Sequence, residues 1–367
     1  MQKPKKIIVK TERKSCPVII GSNSFQLLSK QITKQNLNRN IFVIIDENVK
    51  KQFAQKIQTN LKSNFPKKEI YTLKKGELSK SNSELGKIYE DLIRRKYGRD
   101  TLILAIGGGV TGDLSGFVAS TYMRGVQLIH VPTTFLADVD SSIGGKTGIN
   151  FNKKKNIIGT FYQPEFVLID IDFLQTISNA EFISGLGEVV KYAFITNVKF
   201  YNFIFDNLEK IHLRNKSTLE EIVYESILFK SSVVALDEKE SGLRKILNFG
   251  HTFAHAYESA LSFRIKHGEA VIAGIISSLY LSCIKGYISE KRLNEFMTNL
   301  RLIKLPIILK KLNNQKVLSF MRTDKKNRGN KIKFVLLRNI GEIITDVEAS
   351  NNEIIKSILL MKIFLNK

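Results

Sequence analysis

The chain has 367 residues, 43% hydrophobic and 25% charged, with 57 Lys and Arg against 34 Asp and Glu for a net charge of +23. At roughly 150 residues per domain this length predicts two domains, and the composition is that of a globular protein, which excludes a disordered or fibrous chain. Cys16 and Cys283 are too few for a disulfide framework or a thiolate zinc site, so any metal must be held by His and carboxylate.

At the start, MQKPKKIIVKTERKSCPVII scatters Lys and Arg through any signal core, and no apolar run approaches the roughly 18 to 20 uncharged residues of a membrane span. A cytoplasmic protein with no membrane partner is expected. The runs 41–49 (IFVIIDENV), 69–73 (EIYTL), 101–110 (TLILAIGGGV), 126–132 (VQLIHVP) and 166–174 (FVLIDIDFL) read as strands. Between them QFAQKIQTNLKSNF and SELGKIYEDLIRRKYG carry apolar residues at helical spacing, and this alternation predicts a mostly parallel sheet. From about Ser178 the periods turn helical, as in EEIVYESILFKSSVVALDEKE and EAVIAGIISSLYLSCIKGY, with one late strand at 331–337. The fold class is therefore α/β plus α: a nucleotide-binding domain over residues 1–178 and a helical domain over 179–367, with the active site expected in the cleft between them.

The strand at 101–106 runs into Gly107, Gly108, Gly109, Val110, Thr111, Gly112 and Asp113, followed by the helical LSGFVAS. Glycines at a strand-to-helix turn let backbone N–H groups approach a diphosphate, and the helix N-terminus adds positive charge. The spacing is not G-x-G-x-x-G, so a tight turn without a ligand remains an equal reading. Asp46 and Asn48 past an early strand could take ribose hydroxyls or simply end the strand.

Three of the five histidines fall within seventeen residues, in GHTFAHAYE (His251, His255) and KHGEA (His267). His251 and His255 are four apart and share a helix face, as do Glu188 and Lys191 in GLGEVVKY. Two His and one Glu would leave a fourth zinc position open to substrate. Spacing alone favours His251 and His255; His267 in place of one of them is the alternative. The basic excess is mostly Lys, spread among Ile and Asn without a nucleic-acid-binding motif, so no nucleic-acid partner is expected. Lys146 and Arg124 lie in Gly-, Ser- and Thr-rich segments, and Lys230 and Arg244 flank the acidic ALDEKESG, settings suited to a phosphate and a carboxylate.

Together GGGVTGD, PTTFLADVDSSIGGKTGIN, GLGEVVKY, LRKILNFGHTFAHAYE and KHGEAV resemble the 3-dehydroquinate synthase family, over about residues 46–337. The resemblance implies a Rossmann-like NAD-binding domain, a helical domain carrying zinc (or cobalt), and a homodimer. Zinc would be bound by Glu188, His251 and His267, and His255 would contact substrate. NAD would be held by Asp46, Asn48, Glu77, Lys80, Gly107, Gly108, Gly109, Val110, Asp113, Thr133 and Thr134, with Asp140, Ser141, Lys146, Lys155 and Thr176 nearby. The substrate phosphate would meet Lys146, Asn156, His255, Arg124, the last reaching across the dimer, and Lys325 or Lys326. Lys230, Arg244 and Asn248 would face the carboxylate and hydroxyls, with Lys191 beside the metal.

The implied reaction converts 3-deoxy-D-arabino-heptulosonate 7-phosphate to 3-dehydroquinate and phosphate. It proceeds by transient oxidation with NAD, phosphate elimination, re-reduction, ring opening and aldol closure. Two departures stand out: the family has Gln where this chain has Asp138, and Arg where it has Ala180. Both are expected to tune the enzyme without disabling it. Two rivals share these motifs. A cyclitol synthase, such as a 2-deoxy-scyllo-inosose synthase, would not need Lys230, Arg244 and Asn248 for an acid group. An alcohol or glycerol dehydrogenase releases NADH and has no use for the set of phosphate-binding cations.

Overall fold

The computed structural model describes residues 3–12, 14–38, 40–61, 65, 67–152, 154–240, 242–323 and 332–366. The chain runs β1 (Lys5–Lys10), β2 (Ser15–Gly21), α1 (Leu28–Lys34), β3 (Asn40–Asp46), α2 (Glu47–Leu61), β4 (Lys67–Leu73), α3 (Asn82–Arg94), β5 (Thr101–Gly107), α4 (Gly109–Thr121), β6 (Gln127–Pro132), β7 (Lys146–Phe151), β8 (Lys154–Phe161) and β9 (Phe166–Asp170). It continues with α5 (Asn179–Ile195), α6 (Val198–Asp206), α7 (Leu208–His212), α8 (Lys216–Leu236), α9 (His251–Ala260), α10 (His267–Ile284), α11 (Glu290–Leu300), α12 (Asn314–Thr323), β10 (Lys333–Asn339), β11 (Glu342–Glu348) and α13 (Asn351–Phe364).

Two units form: Met1–Ser178 with Arg214–Lys239, and Asn179–Leu213 with Glu240–Lys367. Helix α8 thus goes with the first unit, although the sequence reading put its residues in the second domain. Its buried face packs on β1 and β2, an antiparallel pair that needs a cover.

In the first unit the sheet order is β1-β2-β9-β6-β5-β3-β4, parallel from β2 through β4. This confirms the α/β class. Alternation explains its two-sided core: Ile41, Val43 and Ile45 of β3 face one apolar cluster with Leu102, Leu104 and Ile106, while Phe42 and Ile44 face another with Ile103 and Ala105. Several expected strands are shorter than read. Residues 47–49 open α2, because Asp46 Oδ1 accepts from the Asn48 and Val49 N–H groups and caps that helix. Strands β1, β2, β7, β8 and β11 were absent from the sequence reading. Residues 146–161 form an antiparallel ribbon where a Gly-rich loop was expected, with β8 exposed along its whole length.

In the second unit α10 is the central helix, packed by α5, α9, α11 and α13 and against β10. Its buried residues run around the whole helix, so it reads as apolar on every side. Contrary to the sequence expectation, α10 is long and apolar enough to cross a membrane, but 72% of it is buried inside the protein, as befits a core helix.

Candidate active site

The first unit places the β5-to-α4 turn as the sequence implied. Gly108 caps α4, which begins at Gly109, so that helix aims its free N–H groups out of the turn. Close packing forbids larger residues here. A Cβ on Gly108 would meet Thr134 Cγ2 at 3.0 Å, and one on Gly109 would meet Ser141 Oγ at 3.1 Å. Buried hydroxyls of Thr133, Ser141 and Ser142 have no hydrogen-bond partner, which leaves polar atoms free to meet a ligand. A glycine turn, a helix N-terminus and orphaned hydroxyls on adjoining segments fit the diphosphate of a dinucleotide.

Around this turn several named residues converge. The buried Lys80 ammonium contacts both Asp113 and Asn156 Oδ1. Asn150 donates to Glu77 Oε1 at 2.8 Å. Lys230, reaching in from α8, sits 2.8 Å from Asp140 Oδ1 and donates to the Asp140 carbonyl at 2.7 Å. Lys146, Lys155, Asn156, Arg124 and Thr176 are exposed, and Arg124 and Asn156 have left-handed backbone, φ 67° and 52°. Asp138 departs from expectation: it lies fully buried, with both carboxylate oxygens unpartnered. Burial, and next the Asp170 carboxylate, push it well above the ordinary carboxylate range, so it is a neutral acid rather than an added charge.

In the second unit α5 carries Glu188 and Lys191 on one face, while His251 and His267 open α9 and α10. The Nε2 atoms of His251 and His267 lie 3.3 and 3.2 Å from Glu188 Oε1. One ligand atom from each of these three lies within 4.8 Å of the others. Lys191 Nζ contacts the other carboxylate oxygen, and both side chains are buried. The His255 ring is 5.5 Å from that of His251 and 6.4 Å from that of His267, centre to centre, beside the trio. Spacing preferred His255; the helix crossing brings His267 instead. Gly187 of α5 and Gly268 of α10 touch backbone to backbone, and each neighbours one member of the trio.

Electrostatics prepare these groups unequally. Burial opposes charge on Glu188, but the Lys191 ammonium and His251 hold its carboxyl well below the ordinary range. Burial lowers His251 to about 4, leaving it neutral. Burial also disfavours charge on His267, yet the Glu188 and Glu258 carboxylates override it and raise that ring to about 10. An ionised carboxylate and a neutral imidazole are the forms that ligate, and His267 reaches that form by giving up a proton. The donor set of one oxygen and two nitrogens fits a divalent metal with a position left for substrate. Nearby, Arg244 is 2% exposed and Asn248 donates to Glu240 Oε1 at 3.0 Å. Lys325 and Lys326 lie outside the described residues. Sequence reasoning missed Glu258, although it stands in the same GHTFAHAYE string and spacing put it one turn beyond His255.

Comparison with known proteins agrees with this geometry. Residues 70–184 match the 3-dehydroquinate synthase N-terminal family and residues 185–327 its C-terminal family. The chain is 37% identical to the 3-dehydroquinate synthase of Ruminiclostridium cellulolyticum, over 96% of this chain and 98% of that one. It is 39% identical to that of Leptospira interrogans, over 95% and 96%. Among solved structures, a 2-deoxy-scyllo-inosose synthase complexed with carbaglucose-6-phosphate, NAD+ and Co2+ superimposes with a TM-score of 0.87 at 25% identity, over 96% of this chain and 99% of that one. A probable glycerol dehydrogenase from Sinorhizobium meliloti shares the fold, at TM-score 0.65 and 15% identity over 95% and 97%. Matches to both halves and near-complete alignments to its synthases place the chain in the 3-dehydroquinate synthase family.

Proposed function

We propose that this enzyme converts 3-deoxy-D-arabino-heptulosonate 7-phosphate to 3-dehydroquinate and phosphate, as a carbon–oxygen lyase. The observation that carries the reading is the Glu188, His251 and His267 trio in a chain whose two halves both match that family. NAD bound to a related synthase, together with Co2+, supports the same pair of cofactors here, with zinc or cobalt at the trio. When bound, NAD⁺ takes up and returns one hydride and the divalent metal acts as a Lewis acid on a substrate hydroxyl.

The chain's own residues hold and orient. The Gly107–Asp113 turn, Thr133, Thr134 and Ser141 cradle the dinucleotide, with Asp46, Asn48, Glu77, Lys80, Asp140, Lys155 and Thr176 around it. Lys146, Asn156, Arg124, His255 and a lysine of the Lys325–Lys326 pair bind the substrate phosphate. Lys230, Arg244 and Asn248 bind its carboxylate and hydroxyls. Lys191 keeps Glu188 ionised through their buried contact. Such a bed of cations fixes a flexible dianionic sugar in one geometry, and positioning supplies much of the rate. The net positive charge draws that anion in.

The enzyme acts as a homodimer in the cytoplasm. An edge strand exposed throughout, with Ile157, Phe161 and Phe151 at 45, 46 and 42% exposure, supports pairing through the β7–β8 ribbon. Two cysteines outside any disulfide agree with a reducing compartment. Incubation with the heptulosonate phosphate, NAD and zinc, with the product identified by mass spectrometry and NMR, tests the reading. 3-Dehydroquinate supports it; no turnover of this substrate alongside cyclisation of glucose 6-phosphate refutes it in favour of the cyclitol synthases.

A further inference from the structure

Glu258 has no part in the chemistry above, yet it is a carboxylate left 8% exposed in the second unit. Burial of a carboxylate is costly unless it is paired. Its Oε1 lies 3.4 Å from His267 Nδ1, while the opposite ring nitrogen, Nε2, lies 3.2 Å from Glu188 Oε1. His251 repeats the layout: Nε2 faces Glu188 Oε1 at 3.3 Å and Nδ1 faces the Phe249 carbonyl oxygen at 3.2 Å. Each imidazole therefore stands between the trio on one side and an oxygen acceptor on the other.

A neutral imidazole has one N–H, and a carboxylate can accept but not donate. An acceptor at Nδ1 draws the N–H there and leaves the Nε2 lone pair directed at the trio. We infer that Glu258 is a positioning residue for the metal: it holds His267 in the Nε2-ligating tautomer and fixes the plane of its ring. The backbone carbonyl of Phe249 does the same for His251. The two supports differ in charge. Glu258 adds a negative charge one residue removed from a divalent cation, so its loss weakens binding beyond the loss of orientation. His267 opens its helix and its side chain is 29% exposed against 12% for His251, so it has fewer packing neighbours to hold it without Glu258.

This inference rests on the metal reading of Glu188, His251 and His267. The test uses full-length protein stripped of metal, with zinc affinity measured by chelator competition at one pH and the unfolding midpoint recorded in chelator. Glu258→Leu is expected to lose about 10- to 100-fold in zinc affinity and to change the absorption spectrum of bound cobalt(II). Its metal-free midpoint stays level or rises, because a buried charge has been removed. Glu258→Gln keeps an acceptor oxygen and recovers a large part of the affinity. In a His267→Ala background, Glu258→Gln adds no further loss, a comparison that stands even where the leucine variant does not fold. Affinity in the folded leucine variant within about twofold of wild type, where supporting residues ordinarily cost tenfold or more, would overturn the inference. An additive loss in the His267→Ala background would overturn it as well. Failure of the metal reading looks different: wild type would bind no zinc, or His251→Ala would cost nothing.

Discussion

Gly187→Ala offers a sharp test of how the metal trio is built. A methyl group on Gly187 would stand 2.6 Å from the Gly268 carbonyl carbon and nearer still to its Cα and oxygen, against ordinary contact from 3.4 Å. Backbone on both sides leaves no side chain to swing away, so α5 and α10 must separate by about 0.8 Å or more at the crossing. Glu188 and His267 are the next residues along each helix, 3.2 Å apart across that crossing. Metal–ligand distances tolerate about 0.2 Å, so the displaced pair can no longer close on one ion. Zinc affinity should fall by at least about 100-fold, the upper end of what a lost supporting group costs. Overpacking also destabilises the fold by roughly 1–3 kcal/mol. Leu293→Ala, a buried change on α11, serves as the control: it should lower the unfolding midpoint comparably and leave zinc affinity intact. Chelator competition at a temperature where all three proteins are folded decides the matter. Zinc binding by Gly187→Ala within about twofold of wild type would refute the reasoning that this contact sets a geometry with 0.2 Å tolerance.

Metal affinity should depend on pH in a definite direction. With His267 raised to about 10 in the metal-free protein, binding displaces its proton, so apparent zinc affinity should climb about tenfold per pH unit from pH 7 to 9; proton release measured in weakly buffered solution checks this. Asp138 is held above its ordinary range, so the folded state keeps a proton that the unfolded chain gives up above about pH 3.9, and stability falls as pH rises from there through the folded value. Asp138→Asn should therefore gain roughly 1–3 kcal/mol at pH 7.5, a few degrees in thermal midpoint, with the gain vanishing near pH 4. Ile157→Asp on the exposed face of β8 should convert a dimer to monomer by light scattering while the circular dichroism spectrum is unchanged.

Much of this was legible in the residues. Strands β3, β5, β6 and β9 are buried on both faces and announce themselves as continuous apolar runs. Strands β7 and β8 do not, because β8 is exposed throughout and its ladder runs over Gly148 and Gly159, which approach each other closely. Helix α8 belongs with the first unit for a reason no local pattern carries, since its partner strands β1 and β2 lie about two hundred residues away in sequence. At the metal centre, spacing along one helix pointed to His251 and His255, whereas His267 arrives from another helix through a crossing set by two glycines. Asp138 looked like an added charge; only its depth shows that it is a neutral acid.

Fold alone does not separate the synthases from the dehydrogenases, because both superimpose on this chain. The internal redox cycle does. Purified protein should be given the heptulosonate phosphate with and without NAD, and before and after metal chelation, while phosphate release and free NADH are followed together. Phosphate release that needs both NAD and metal, with no NADH accumulating, is the predicted result. NADH accumulating in step with substrate consumption would contradict it.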